Sequence, residues 1–367
     1  MAKRYTDLYS SLTTFENLYL AYQKAARGKR GQPPVARFDY NLEENLVRLQ
    51  EELANKSYQP GRYRSFYIYD PKKRLVSAAP FRDRVAHHAV CNIIEPLFER
   101  TFIGDSYANR VGKGTHAALD RAQHFARRYP YVLQCDVRQF FPSVDHAVLH
   151  RVLARKIGDA DVMDLCDRIL ASGEGVLEES YAMVYFPGDD LLAVNRPRGL
   201  PVGNLTSQFW ANVYLNELDQ FVKRQLHCAA YARYVDDFLL FSDDKRQLWE
   251  WKSAIVAKLA ELRLTLHAES STVYPVTNGI PFLGFRLYPT HRRLKRRNGM
   301  AFARRWRRNL QAAAAGQLTL DDLQRRVQGW IAHAAHGDTW GLRRSLLSGV
   351  ILPSRAPGAG EGTEVRA

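Results

Sequence analysis

Tyr234-Val235-Asp236-Asp237 sets two adjacent carboxylates between the apolar segments Ala232-Arg233-Tyr234 and Phe238-Leu239-Leu240-Phe241. Neighbouring acids at the tip of a β-hairpin repel one another and cost stability. A cation held between them removes that cost. Divalent ions on carboxylates serve phosphoryl transfer: one lowers the pKa of the attacking hydroxyl, and another neutralises the transferred and leaving phosphates. Such a site needs a further acid from a different strand. Tyr131-Val-Leu-Gln-Cys-Asp136 ends an apolar run in a carboxylate and supplies one candidate. Asp145 competes, although Asp145-His146 reads as a helix N-cap. An Asp-Asp pair alone is weak evidence, since most are solvated turns, and Asp243-Asp244 reads as one. The pair together with an acid-terminated strand is a stronger sign.

These acids need elements to hold them. Residues 13–27 open with the capping-box pattern Thr13-x-x-Glu16 and stop before Gly28, which predicts a helix. The basic stretch 27–34 predicts a loop, and 42–53 a second helix. Residues 65–69 are aromatic and β-prone, which predicts a strand ended by Asp70-Pro71. Helices are expected over 81–98, with Pro96 bending its end, and over 146–156, 208–224 and 245–264. A strand is expected over 131–136. Residues 172–198 read as a hairpin or surface insertion. Pro281-Phe-Leu-Gly-Phe285 reads as a strand after the Asn278-Gly279 turn. Residues 291–308 then hold nine Lys or Arg and no acid. Two helices, 304–315 and 320–333, complete the pattern, and the Gly-, Pro- and Ala-rich chain from Pro353 is expected to be disordered. No internal repeat is visible.

Composition narrows the partners. The 367 residues suffice for two or three subdomains. Lys and Arg outnumber Asp and Glu by 53 to 38, giving a net charge of +15, which points to a polyanion. Four widely spaced cysteines (Cys91, Cys135, Cys166, Cys228) form no Cys-x-x-Cys pair and read as buried free thiols of a reducing compartment. No secretory signal pattern opens the chain and no apolar run reaches the ~18 residues of a membrane span. A cytoplasmic protein without membrane contact is expected.

Other residues carry weaker signals. Lys72, Lys73 and Arg74 follow a strand and a turn, where they either close on a triphosphate or remain a solvated loop. Arg82 and Arg84 flank Asp83 at a helix start, and at least one of them has Asp83 as a simple ion-pair partner. Gly199 and Gly203 suit close approach of backbone to nucleic acid. His87-His88, His146/His150 and His333/His336 have metal-like spacings without further ligands nearby, so structural roles are favoured. The arginine-rich run, including Arg304, Arg305, Arg307 and Arg308, suits phosphate contacts, with Trp306 stacking on a base or sugar. Its simpler reading is a solvated helix face.

Four segments in order carry a resemblance to reverse transcriptases. Gln134-Cys-Asp136-x-x-x-Phe-Phe141-Pro-Ser resembles the family's first catalytic motif. Gly199-Leu-Pro-Val-Gly-Asn-Leu-Thr-Ser-Gln208 resembles the segment that supports template and primer. Tyr234-Val-Asp-Asp237 resembles the second catalytic motif, and Phe282-Leu-Gly-Phe285 the segment beside the primer grip. Val202 stands where most bacterial members have Gln, and Gln208 where they have Pro. These departures are similar to the reverse transcriptases of diversity-generating retroelements. So are Pro71-Lys-Lys-Arg-Leu-Val-Ser-Ala-Ala-Pro-Phe-Arg-Asp-Arg84, Gly112-Lys-Gly-Thr-His116 and the short basic region ending near Gly329-Trp-Ile-Ala-His333.

The resemblance implies two Mg²⁺ ions, with Mn²⁺ a possible substitute, on Asp136, Val137, Asp236 and Asp237. It implies nucleotide contacts at Lys72, Arg74, Arg82, Phe141 and Gln208. Phe141 would pack beneath the sugar and exclude a ribose 2′-hydroxyl, although either Phe140 or Phe141 could be a core ring, since strand neighbours face opposite sides. Template and primer contacts are implied at Gly199, Val202, Gly203, Ser207, Tyr234, Leu283, Gly284 and the four arginines 304, 305, 307 and 308. Implied partners are template RNA, a cDNA or DNA primer, dNTPs and a small helical accessory protein that binds nucleic acid. The implied product is cDNA with errors at template adenines.

The expected class is α+β: a right-hand polymerase with fingers, an antiparallel palm sheet packed on helices, and a short α-helical thumb. The expected divisions are a helical extension over 1–60, fingers and palm over 61–288, a basic thumb over 289–352 and a tail over 353–367. Rival readings are the reverse transcriptase of a retron or group II intron, and a non-catalytic RNA-binding scaffold. Retention of all three acids argues against the scaffold.

Overall fold

The computed structural model describes residues 3–69 and 73–348. Lys72 and the tail beyond Pro353 lie outside the described residues. The chain divides into two compact units, Met1–Arg121 with Tyr131–Tyr274, and Ala122–Pro130 with Pro275 onward.

The first unit opens with four helices, α1 (Tyr9–Leu12), α2 (Phe15–Ala26), α3 (Pro33–Tyr40) and α4 (Leu42–Ala54). The cap of α2 is Thr14 rather than Thr13, because the Thr14 hydroxyl accepts from Asn17 N–H at 3.2 Å. Its buried Leu18, Ala21, Tyr22 and Ala25 recur at helical spacing and face the core. The stretch through Pro34, expected as loop, turns helical at Pro33. Proline suits a first turn, where its missing N–H would have had no partner.

A two-stranded antiparallel ribbon follows, β1 (Arg64–Ile68) and β2 (Arg74–Ala78). Next come α5 (Phe81–Glu99), α6 (Thr115–Arg128), β3 (Tyr131–Asp136), α7 (Phe140–Ser143), α8 (His146–Ala154) and α9 (Ala160–Ala171). Residues 172–198 form no hairpin. They are irregular, with 3₁₀ turns at Glu178–Ser180 and Leu191–Asn195. The helix α10 (Leu205–Arg224) precedes β4 (Tyr231–Tyr234), β5 (Asp237–Ser242), α11 (Lys245–Glu261) and β6 (Thr272–Pro275). The strands make one sheet in the order β4-β5-β3-β6, with β3 and β4 both antiparallel to β5. One core joins the sheet's Leu133, Cys135, Phe238 and Leu240 to Phe209, Trp210 and Tyr214 of α10 and to Val85, Ala89 and Ile94 of α5. All four cysteines are free and buried.

The second unit holds β7 (Ile280–Phe282), β8 (Phe285–Leu287) and β9 (Arg292–Leu294), then α12 (Arg296–Ala314), α13 (Leu320–Ala334) and α14 (Trp340–Leu347). The expected strand over Pro281–Phe285 is in fact a hairpin. Leu283 (φ 43°) and Gly284 (φ 89°) form its turn, with Phe282 opposite Phe285. The last part of α6 and the chain to Pro130 belong here. Gln123 Nε2 donates to the Tyr288 carbonyl at 3.0 Å, and Arg127 Nε to that of Pro289 at 2.8 Å.

The helix α12 begins at Arg296, eight residues ahead of the expected Arg304. Trp306 is 7% exposed and so cannot stack on a base or sugar. Its spacing of four from Phe302 puts both rings on the apolar face, and Phe302 stacks on Trp330 with centroids 3.7 Å apart. No helix among the described residues is long and apolar enough to cross a membrane.

Candidate active site

The acid pair occupies the tightest turn of the main sheet. Tyr234 pairs with Asp237, so Val235 and Asp236 are the two loop residues between β4 and β5. Val235 has φ 54°, the sign required at the first central position of a type II′ turn. Glycine is the usual occupant; a β-branched side chain there is strained. The turn has local support. Arg233 is completely buried and meets Asp219 through Nε at 2.7 Å and Nη2 at 2.6 Å. Its Nη1 donates to the Val235 carbonyl at 3.2 Å and to Asn212 Oδ1 at 3.2 Å. Tyr231 and Ser106 complete the network, which makes this buried cation fully hydrogen-bonded.

Strand pairing brings in the third acid. Asp136 ends β3 directly opposite Asp237 of β5, which puts both side chains on one face of the sheet. Val137 N–H donates to the Asp236 carbonyl at 3.3 Å, and His267 N–H to the Asp136 carbonyl at 2.8 Å. Asp145 is not part of this group. It caps α8 through Val148 N–H at 2.9 Å and pairs with Arg196 at 3.1 Å.

Burial, with the Asp136 charge adding to it, raises the Asp236 carboxyl to about 6 against the opposing pull of a backbone N–H of Asp236, Arg74 and Arg233. Arg74, at the start of β2, is therefore close enough to act electrostatically on the acid group. The carboxylates repel one another in a partly desolvated place, and a hard cation removes that cost. No three His, Cys, Asp or Glu side chains form a ready cage among the described residues. Asp136, Asp236 and Asp237 are the acids that could hold Mg²⁺, an ion that commonly takes one or two carboxylates and completes its shell with water and substrate phosphates.

Around the acids, Phe140 and Phe141 lie on the short helix α7, not on a strand, after Gln139 in the left-handed region (φ 47°). The helix still divides them: Phe140 is core, and Phe141 is half-buried against it. Leu200 N–H donates to the Phe141 carbonyl at 2.9 Å, and Gly199 N–H to that of Val144 at 2.8 Å. Ser77 N–H donates to the Val202 carbonyl at 2.8 Å, which ties the glycine-rich segment to β2. Gly203 has φ +114°, and a Cβ there would meet Val76 at 2.9 Å, so only glycine fits. Ser207 is buried in α10, Gln208 is half-buried, and Tyr234 Oη lies 3.2 Å from Thr115 Oγ1.

Arg82 is held elsewhere. It pairs with Glu52 at 2.7 Å, donates to the Gln59 carbonyl and covers the Tyr58 ring. Lys73 lies over the Tyr67 ring at 4.2 Å. In the second unit, Leu283 and Gly284 form the hairpin turn, and Arg304, Arg305, Arg307 and Arg308 occupy the exposed face of α12, opposite Phe302 and Trp306. The Arg233–Asp219 network was not read from the sequence. Its signal is a cation within an apolar strand, Tyr231-Ala-Arg-Tyr234, which demands a buried acid.

Residues 69–287 match the family described as Reverse transcriptase (RNA-dependent DNA polymerase). The chain is 26% identical over 279 residues to Protein YkfC of Escherichia coli (strain K12), covering 65% of this chain and 70% of that protein. It is 28% identical over 227 residues to the Group II intron-encoded protein LtrA of Lactococcus lactis subsp. cremoris, covering 59% of this chain. The match spans 35% of LtrA, about a third of its length. Among solved structures, apo telomerase from Candida tropicalis, truncated from its C-terminal domain, aligns with TM-score 0.47 at 11% identity over 67% of this chain and 59% of that one.

Proposed function

The chain belongs to the reverse transcriptase (RNA-dependent DNA polymerase) family, and from that premise we propose that it copies a template-repeat RNA into cDNA with errors at template adenines. The observation that carries the chemistry is the register of Asp136 opposite Asp237, with Asp236 at the turn and Arg74 acting on it. Divalent ions bound there would acidify the primer 3′-hydroxyl and neutralise the triphosphate. Asp136, Asp236, Asp237 and the Val137 backbone are the residues to hold them. Arg74 binds the triphosphate as a fixed guanidinium. Phe141 underlies the sugar and excludes a 2′-hydroxyl. Gln208 and the 199–203 segment flank the base pair, where Val202 offers shape in place of an amide. The loss of one polar contact is worth roughly 1–3 kcal/mol of discrimination, which supports frequent misincorporation. In this reading the first unit supplies fingers and palm, α12–α14 form the thumb, and a small helical accessory protein cooperates.

A second reading, the reverse transcriptase of a group II intron, draws on the similarity to LtrA. Primer extension on a defined RNA by the full chain with Mg²⁺ and dNTPs tests the polymerase, with Asp136→Ala, Asp236→Ala and Asp237→Ala as controls. Each control is expected to abolish extension and retain RNA binding. Sequencing the cDNA, with the accessory protein present, separates the readings. Errors concentrated at adenines support diversification, and accurate copying overturns it.

A further inference from the structure

A cavity of about 240 Å³ lies between α2, α5 and the start of α10. Its cationic lining comes from separate elements, Lys24 from α2, Lys29 from the loop after it and Arg84 from α5, and the neutral imidazoles of His87 and His88 from α5 lie beside them. No acid lines it among the described residues. His87 is 1% exposed, and neither ring nitrogen has a hydrogen-bond partner; the buried Nδ1 of His88 also has none. Burial holds both imidazoles below their usual range, and the neighbouring cations push in the same direction. Arg84 spends Nε on the Ala79 carbonyl at 2.9 Å. Lys24 reaches Asn92 Oδ1.

A separate observation points to the same place. The helix α10 is 20 residues long, yet its N-cap residue Asn204 makes no side-chain cap. The Asn204 amide instead donates to the Ser77 and Pro201 carbonyls, and its oxygen accepts from Ala79 N–H. The first bond of the helix is the one that Gln208 N–H makes to the Asn204 carbonyl at 3.3 Å, so the amides of Leu205, Thr206 and Ser207 precede its hydrogen-bonded ladder. Leu205 and Gln208 line the cavity. An uncapped helix start carries partial positive charge and free donors, the usual setting for a phosphate. Orphaned imidazoles 1% exposed or half-buried also cost stability unless a ligand completes their bonding.

We propose that this cavity is a phosphate-binding subsite, distinct from the acid group and completed by an anion that brings acceptors to His87, His88 and the α10 amides. Arg74 of β2 acts on Asp236, while Ser77 of the same strand donates its N–H to the carbonyl of Val202, the residue before Gly203 in the cavity lining. The phosphate has two possible sources, a backbone phosphodiester of a bound strand or a free phosphate or pyrophosphate. Only the first source rests on the polymerase reading.

The test uses the full chain in EDTA without dNTPs, so that catalysis plays no part. Wild type is compared with Lys24→Gln/Lys29→Gln, which changes side chains at the cavity rim, and with Lys24→Arg/Lys29→Arg, which keeps the charge. Equal unfolding midpoints without ligand establish that all three fold. Ligands are inorganic phosphate and pyrophosphate, with chloride at matched ionic strength, and a single-stranded oligoribonucleotide at several salt concentrations. A backbone source is expected to lower the log–log salt slope of RNA binding in the Gln variant by roughly 0.7 per lost contact, with recovery in the Arg variant. A free-phosphate source is expected to raise the wild-type midpoint above the chloride control and leave the Gln variant unmoved. Identical responses of wild type and the Gln variant to all three ligands overturn the proposal. Primer extension with Mg²⁺ is scored separately and can succeed whichever result is found.

Discussion

Arg233 Nη1 donates to the carbonyl oxygen of Val235 at 3.2 Å, so a guanidinium sealed inside the sheet holds the strained residue that presents Asp236. Breaking a buried ion pair leaves an uncompensated charge and costs about 3–5 kcal/mol. Asp219→Asn, Asp219→Leu and Arg233→Met each leave one charge behind and are each expected to lower unfolding free energy by about that amount in urea titrations. The double change Arg233→Met/Asp219→Leu is expected to be milder than Asp219→Asn, because neither charge is left behind. A double variant as unstable as the sum of its parts contradicts this coupling.

The acid group carries a stability cost of its own. The Asp236 carboxyl is raised from 3.8 to about 6, so the folded chain holds this proton more tightly than the unfolded one. Its contribution to stability is complete below about pH 3.8 and is lost as pH rises through about 6. Asp236→Asn is therefore expected to stabilise the protein at pH 8 in EDTA, by on the order of 2 kcal/mol once partial exposure is allowed for. Millimolar Mg²⁺ is expected to narrow the gap by raising only the wild-type midpoint. Equal midpoints at pH 8 in EDTA count against carboxylate crowding.

Phe141 is half-buried against a core that already contains Phe140. Phe141→Val is expected to raise ribonucleotide incorporation relative to deoxyribonucleotide by tenfold or more, with little loss of stability. The check is single-nucleotide extension with paired dNTP and rNTP. Unchanged sugar selectivity assigns the ring to packing alone.

Arg304, Arg305, Arg307 and Arg308 cover the side of α12 away from Phe302 and Trp306. Changing all four to Gln is expected to weaken template–primer binding and to flatten its log–log salt slope by roughly 0.7–0.9 per lost phosphate contact. The unfolding midpoint should stay nearly constant, since the apolar face is untouched. A slope equal to that of wild type assigns these arginines to solvent or to a protein partner.

Val202 is half-buried, and its carbonyl is fixed by Ser77 N–H. Val202→Gln is expected to lower misincorporation severalfold, most at template adenine, in deep-sequenced cDNA. An unchanged error spectrum means that fidelity is set by other residues.

What the sequence disclosed best was the meeting of the acids that interrupt its pattern. An acid at the end of an apolar strand and two acids at a turn stand out because burial penalises them unless they share a purpose. Elements with ordinary composition were harder to read. Lys73 and Arg74 drew attention as cations and obscured the strand Arg74–Ala78 that they introduce. The helices Thr115–Arg128 and Ala160–Ala171 went unread, although Asp159 caps the second through Asp161 and Val162 N–H. Pro33 looked like a breaker and is a starter. Trp306 looked like a nucleic-acid contact because of its cationic neighbours, whereas its phase relative to Phe302 decides its burial. The cavity between α2, α5 and α10 could not be read at all, because residues 24 to 208 meet there only through folding.

The route of the backbone has a consequence for synthesis. Residues 122–130 belong to the unit completed only by Pro275 onward, and Gln123 waits for Tyr288, 165 positions later. At typical ribosomal rates that interval is on the order of ten seconds. During translation this helix end emerges without its permanent neighbours, and the strand after it, Tyr131–Asp136, can join the main sheet once Asp237–Ser242 follows, still ahead of Tyr288. The nascent chain must therefore tolerate a temporarily unsheltered segment in its middle, and an isolated fragment ending at Tyr274 would carry the same unsheltered surface permanently.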